Sequence, residues 1–305
     1  MNKGTVGNKL IIGMAVIFAL MMVVKPQITE AGSKAAIIIW ANSIVPVLLP
    51  FFIFSDFIKR SGDLNRLSPR VYTFIIAFMS GYPVGAKVTG DYMRSGELSY
   101  GEGKYILSYS LVTGPAFIIF TIGEFIGSRE GAIVVAVAHY LGAFMNRWFY
   151  KESLTCRAKS SPKFRPISSA GENNLMENFT YGILGGFKAM AVILAYLMVF
   201  TIGINFMEMT GIFAVIANET VNSCIKGFME MTIGINLVGM CDIGIKLKII
   251  LASMLVSFGG LSVIGQSASM VRKTDIKVGD IVKIKATHGM IAAILSTLIV
   301  NFVVL

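Results

Sequence analysis

Apolar stretches of near-spanning length recur from one end of this chain to the other, separated by short basic segments. A bilayer core about 30 Å thick takes roughly 20 apolar residues per helix to cross. Runs at 10–24, 36–57, 131–150, 181–206 and 286–304 approach or meet that length. Others, at 71–88, 105–126 and 248–271, have it only if glycine and proline interruptions are counted through. The pattern predicts an all-α membrane protein of about 8 to 10 membrane segments, some of them interrupted or re-entrant, arranged in two related halves.

Composition excludes the alternatives. Of 305 residues, 55% are hydrophobic and 14% charged, with a mean hydropathy of +0.72. Soluble domains carry about 25% charged residues, so this chain cannot coat a soluble enzyme, and it is neither a secreted disulfide scaffold nor disordered. The 27 Lys and Arg against 17 Asp and Glu give a formal +10. They fall between apolar runs, which fits loops retained in the cytoplasm and not a nucleic-acid surface. Cys156, Cys224 and Cys241 form no CxxC pair, and two histidines make no metal cluster. No metal or cofactor is expected. Walker, HExxH and GxSxG patterns are absent, so no enzyme is expected, and any transport is secondary or drawn by a sink on the far side.

The run 10–24, flanked by Lys3, Lys9 and Lys25-Pro26, has the outline of a signal peptide. It is long for one, and Lys25 and Glu30 precede any small-residue cleavage site, so an uncleaved first span is preferred. The second span, 36–57, carries Trp40, Pro46 and Pro50, and a basic loop with Lys59, Arg60, Arg66 and Arg70 follows. His139 lies inside the span 131–150. The polar segment 151–174, with Lys151, Arg157, Lys159, Lys163 and Arg165, reads as a cytoplasmic linker. After it come the span 181–206 and a Met-rich stretch, 211–240, with Glu219, Lys226 and Glu230, which reads as an interfacial or re-entrant pair. A basic loop at 272–285 precedes the last span, which contains His288. The organisation is thus an anchor span (1–34), a first repeat (35–150), the linker (151–174) and a second repeat (175–305).

Ser80-Gly81-Tyr82-Pro83-Val84-Gly85-Ala86-Lys87 can be laid without gaps on Gly259-Gly260-Leu261-Ser262-Val263-Ile264-Gly265-Gln266. Each half also has a long apolar segment upstream and a His-bearing span downstream. Non-helical backbone at membrane depth must be buried in protein or line a cavity. Matched interruptions in two halves point to a transporter's solute site. Close helix packing through glycine is the competing reading; the additional Thr113-Gly114-Pro115 break favours a solute site.

These residues resemble a known family. Trp40 followed by Pro46-Val47-Leu48-Leu49-Pro50-Phe51-Phe52, the 80–87 motif, His139-Tyr140-Leu141-Gly142, the 258–266 segment and His288-Gly289 are similar to the YlbJ-type sporulation integral membrane proteins, described as SpoVV-like dipicolinate transporters. The resemblance runs from about residue 36 to the C-terminus. It departs at Thr113-Gly114-Pro115, where the family often has an asparagine-bearing turn. The resemblance implies a nucleoside-recognition or gate domain, similar in build to concentrative nucleoside transporters. It further implies a multi-pass protein of the bacterial cytoplasmic membrane and, during sporulation, of the outer forespore membrane, moving dipicolinic acid out of the mother cell by alternating access around its broken helices. Partners would be a small anionic solute (dipicolinate) and the lipid bilayer, with no nucleic acid; a homo-oligomer or a sporulation membrane partner is compatible with it. The rival readings are a carrier of a nucleoside-like or other small solute, and a non-transporting sporulation scaffold.

Dipicolinate is a planar aromatic dianion, so a site for it needs positive potential, donors and a flat apolar slot. Lys87 is the candidate charge, since lysine at membrane depth is expensive; snorkelling to the interface or pairing with Asp91 is the alternative. Ser80, Tyr82, Thr113 and Ser262 offer hydroxyls, and Gln266 stands opposite Lys87 in the overlay. Gly81, Gly85, Gly114, Gly259 and Gly260 offer backbone N–H groups. His139 and His288 are candidates for proton coupling or, equally, packed histidines. Glu124, Lys188, Glu230 and Asp242 read as structural pairs or membrane-edge charges.

Overall fold

The computed structural model describes residues 3–61, 67–155 and 175–302. Those residues are mostly helical and contain no strand. Among them, five helices are long and apolar enough to cross a membrane: Pro26–Ile58, Arg129–Lys151, Leu175–Met209, Ile245–Met270 and Val278–Val300. Shorter apolar helices lie at Ile12–Val24, Phe117–Ile126 and Met231–Met240. The protein is an all-α membrane protein.

Helix α1 (Lys3–Val24) leaves Ile12, Ile17 and Val23 exposed, and meets the rest through Phe18, edge-on to Phe206 at 5.6 Å. Helix α2 (Pro26–Ile39) starts with proline in its first turn, where the missing N–H costs nothing. It continues through a π-helical turn (Trp40–Ile44) into α3 (Val45–Ser61). The expected border at 34/35 therefore falls inside a helix. Glu30 and Lys34 pair one turn apart at 2.5 Å on its exposed face. Lys59 and Arg60 likewise end α3, with Arg60 on Asp56 at 2.9 Å. Arg70 opens the next helix, and Arg66 lies outside the described residues.

Helices α4 (Pro69–Ser80) and α5 (Val84–Arg94) fold back on each other about Gly81-Tyr82-Pro83, bringing the Tyr72 and Tyr92 rings to 6.3 Å. The Tyr82–Pro83 bond is cis. At 1.5 Å per residue each arm reaches only about 16–18 Å, too short to cross. The segment 71–88 is thus a re-entrant hairpin. Helix α6 (Tyr100–Ser110), started by a Ser99/Glu102 capping box, gives way to non-helical backbone at 111–114. It resumes as a π-helical turn (Phe117–Ile122) and α7 (Gly123–Ile126). Helix α8 (Arg129–Asn146) follows, ending in a 3₁₀ turn, Arg147–Thr155. The linker expected at 151–174 lies, from residue 156 on and including Cys156, outside the described residues.

Helix α9 (Leu175–Met209) runs antiparallel to α2–α3. Gly182 and Gly186 permit this, since a Cβ there would meet the Ile53 carbonyl oxygen at 2.8 Å and the Ile53 side chain at 2.9 Å. Trp40 Nε1 donates to the Met190 carbonyl at 3.0 Å midway along the contact, which runs on to Gly32 against Ile202. Helices α10 (Glu219–Met229) and α11 (Met231–Met240) form a second hairpin about one extended residue, Glu230. A Cβ on Gly234 would stand 2.0 Å from the Gly227 Cα, and Ser223 Oγ lies 3.6 Å from Cys241 Sγ. Helix α12 (Ile245–Phe258) breaks at Gly259 and continues as α13 (Gly260–Met270). Both glycines have positive φ, 85° and 71°.

Helix α14 (Val278–Val300) begins inside the segment expected to be a basic loop. It shows an exposed stripe of Met290, Ile294 and Leu298, and an inner stripe holding Ile281, Ile284, Lys285, His288 and Ala292. That is the helical period, apolar outward and partly polar inward. A long helix, a hairpin, a broken helix and a final helix thus occur twice in chain order. The gapless overlay of 80–87 on 259–266 joins unlike elements, because the first is a hairpin tip and the second a break within a continuing span.

Candidate functional site

Both hairpin tips, the first helix break and the helix that follows the second break line one cavity. The first tip brings Ser80, Gly81 and Tyr82, and the α6–α7 break brings Thr113 and Gly114. The second tip brings Glu230, Met231 and Thr232, and α13 brings Val263 and Gln266. Ile44, Leu48 and Phe52 of the long first span, with Ile193 and Leu197 of α9, make the apolar wall.

Glycine lets each tip press on a break. A Cβ on Gly81, whose φ is +69°, would stand 2.7 Å from the Gly114 nitrogen. A Cβ on Gly260 would stand 3.0 Å from the Met231 nitrogen and 3.1 Å from the Gly227 carbonyl oxygen. The backbone approaches backbone at both places, which no side chain permits.

The cavity measures about 50 Å³. Sites for drug-sized ligands run to roughly 300–1,000 Å³, so a solute of a few rings enters only if the tips part. A wider cleft of about 420 Å³, lined by Asn42, Ser43, Glu124 and Asn236, lies beside it, where Ser43 and Ile44 are consecutive residues of one π-helical turn.

Glu230 is the charged side chain of the cavity lining and is 5% exposed. It caps α11 by accepting the Ile233 N–H at 2.9 Å, and accepts hydroxyls of Ser262 at 3.3 Å and Thr232 at 3.4 Å. Gln266, 6% exposed, adds an amide.

Behind the lining sits Lys285, 1% exposed. Its ammonium donates to the Tyr82 hydroxyl and, at 2.9 Å, to the Leu111 carbonyl, and lies 4.4 Å from the Tyr82 ring centroid. Tyr82 in turn donates to the Val256 carbonyl at 3.1 Å. An unsolvated ammonium costs several kcal/mol; two oxygens and a ring face offset that cost here.

The histidines hold the first break. The Thr113 N–H donates to His139 Nε2 at 3.0 Å, and Tyr140 donates to the Thr113 carbonyl at 2.8 Å. With Nε2 accepting, the neutral ring carries its proton on Nδ1, which lies 2.8 Å from Ser257 Oγ. His288 Nε2 donates to the His139 carbonyl at 2.8 Å, and the two rings lie 4.8 Å apart. Both side chains are buried and engaged in helix-to-helix bonds, the packed alternative of the two readings.

Of the residues singled out from sequence, Ser80, Gly81, Tyr82, Thr113, Gly114 and Gln266 line the cavity. Gly260 and Ser262 back the second tip, and Gly259 abuts Lys285, whose Cε lies 3.4 Å from where a Cβ would be. Gly85 packs on the Ser110 carbonyl, away from the lining. Lys87 is exposed on α5 between buried Ala86 and Val88, so it cannot serve as the site's charge. Nor does it have Asp91 to itself, since that carboxylate takes Arg94 at 2.5 Å. Arg94 also donates to the Met270 and Arg272 carbonyls, so it clamps the end of α13.

Glu230, Thr232 and Lys285 were missed as site residues. The signal for Glu230 was an acid isolated in an apolar, glycine-bearing stretch. For Lys285 it was the spacing Ile281, Ile284, Lys285, His288, one helical face.

Among known proteins, the chain is similar to the sporulation integral membrane protein YlbJ of Bacillus subtilis (strain 168), at 24% identity over an alignment spanning 96% of this chain and 83% of that protein. No family model matches the chain. No solved structure matches it.

Proposed function

We propose that this protein is a secondary carrier of a small solute, acting in a sporulation membrane. The observation that carries the reading is the convergence of two hairpin tips, the first helix break and the helix after the second break on one cavity. Non-helical backbone at membrane depth is costly unless it serves a site, and discontinuous helices facing each other are how many carriers build theirs. Similarity to a protein named for sporulation supports the cellular setting, and on that reading the protein resides in the outer forespore membrane. The twofold succession of long helix, hairpin, broken helix and final helix supports two related halves that move against each other in alternating access.

Dipicolinate is the solute that the family resemblance implies. Its ring suits the apolar wall, and its carboxylates would meet the Thr113 and Thr232 hydroxyls and the Gln266 amide. A nucleoside-like neutral solute is the second reading, favoured by one observation: the lining carries an acid and neutral donors but no lysine or arginine.

Uptake of labelled dipicolinate and labelled uridine into liposomes containing the purified chain tests both. Saturable dipicolinate uptake, lost in Gln266→Ala, supports the first; uridine uptake alone supports the second. Failure of folded protein to move either overturns the carrier reading in favour of a scaffold.

A further inference from the structure

Glu230 poses an electrostatic problem that the carrier reading leaves open. Its carboxyl group is buried at the tip of the second hairpin, and the Thr232, Ile233 and Ser262 groups that bond it are neutral donors. Among the described residues no Lys, Arg or His pairs with it.

The neighbouring elements supply no counter-charge. From the first hairpin it faces Tyr82. On α14, Lys285 spends its donors on Tyr82 and Leu111. On its own hairpin, Lys226 pairs with Glu208 of α9, while Cys224 and Cys241 lie nearer the open end. Of the α12 lysines, Lys248 donates to the Gly239 carbonyl and Lys246 is exposed; α13 has no titratable side chain. Tyr196 of α9 packs beside Gly265, and Glu124 of α7 lies in the neighbouring cleft.

Burying a carboxylate with no side-chain cation is costly; its hydrogen bonds offset part of that cost, and a proton or a positive group would offset more. An anionic solute beside an ionised Glu230 would be repelled by its charge, the more so away from water.

Resting on the carrier reading, we propose that Glu230 is the proton-carrying group of the cavity. As the solute enters, a hydronium ion on that side gives its proton to a Glu230 carboxylate oxygen, forming the carboxylic acid and leaving water. After the tips reorient, the O–H bond breaks and the proton passes to water on the other side, with the solute. Solute and proton therefore move in the same direction. His139 is not the carrier, because its Nε2 lone pair holds the Thr113 N–H that closes the first break.

The test is performed on the full chain in liposomes, with a pH indicator inside and the membrane potential collapsed. At one proton per solute, a one-unit gradient, acid outside, drives about tenfold accumulation. The wild type is expected to show that accumulation and to acidify the lumen when labelled dipicolinate or uridine is added. Glu230→Gln is expected to lose accumulation and acidification while still exchanging labelled for unlabelled solute, which shows it folded; Glu230→Asp is expected to regain acidification. Accumulation and acidification retained in Glu230→Gln would overturn the proposal. So would wild-type transport indifferent to the gradient, with the carrier reading left standing. If the wild type moves neither solute with or without a gradient, the carrier reading fails and takes the coupling with it.

Discussion

Lys285 on the last helix and Tyr82 at the tip of the first hairpin, 203 residues apart in sequence, share a buried hydrogen bond directly behind the cavity. The same ammonium holds the Leu111 carbonyl at the first helix break. One side chain thus ties the last helix, the first hairpin and the first helix break.

That tie is measurable as a coupling. Lys285→Met and Tyr82→Phe each remove one partner, and the double variant removes both. The expected interaction energy is favourable and about 0.5–3 kcal/mol, the range for residues in direct contact. Thermal unfolding of the four proteins in detergent gives it. Additive effects, within about 0.3–0.5 kcal/mol, would show that the two side chains do not act together.

The second hairpin depends on glycine against glycine. Gly234→Ala places a methyl where the Gly227 Cα stands, 2.0 Å away. Overpacking ordinarily costs about 1–3 kcal/mol, and here the obstacle is backbone, which cannot rotate aside. The expected result is loss of the monodisperse protein on size-exclusion chromatography. Gly279→Ala is the control: it meets nothing within 4 Å, lies in the first turn of α14 and is expected to be neutral or stabilising. Equal behaviour of the two variants would contradict the hairpin.

The bonding at His139 specifies a tautomer. With the Thr113 N–H on Nε2, the ring nitrogen bearing hydrogen is Nδ1. Solid-state NMR of ¹⁵N-histidine-labelled protein in lipid, at neutral pH, is expected to show one neutral Nδ1–H ring that disappears in His139→Gln. An imidazolium signature assigned to His139 would contradict it.

The breaks were legible because glycine and proline have few reasons to interrupt an apolar run. Gly81, Gly114 and Gly259-Gly260 were all read from sequence, and all lie at the cavity or against its backing. Which lysine is buried was not legible in the same way. Lys87 adjoins a motif, but α5 turns it outward, while Lys285 looked like one of several loop charges until the period from Ile281 to His288 placed it inside. Whether a break makes a hairpin or a bend was hidden as well. That depends on contacts such as Gly227 against Gly234, which join the two arms and leave no mark on local composition. The overlay of 80–87 on 259–266 failed for this reason. The charged segment 272–285 misled because Asp280 finds its partners on another helix, Lys104 at 3.0 Å and Tyr100 at 3.1 Å.

Protection of single cysteines by solute shows whether the solute occupies the cavity. In a chain with Cys156, Cys224 and Cys241 replaced by serine, Thr232→Cys and Gln266→Cys each put a thiol on the cavity wall, and Lys87→Cys puts one on the outside. Labelling by a small thiol reagent in liposomes would be followed with and without dipicolinate or uridine. The transported solute is expected to slow labelling at positions 232 and 266 and to leave position 87 unchanged. Unaltered labelling at both cavity positions, in protein that still transports, would show that the solute passes elsewhere.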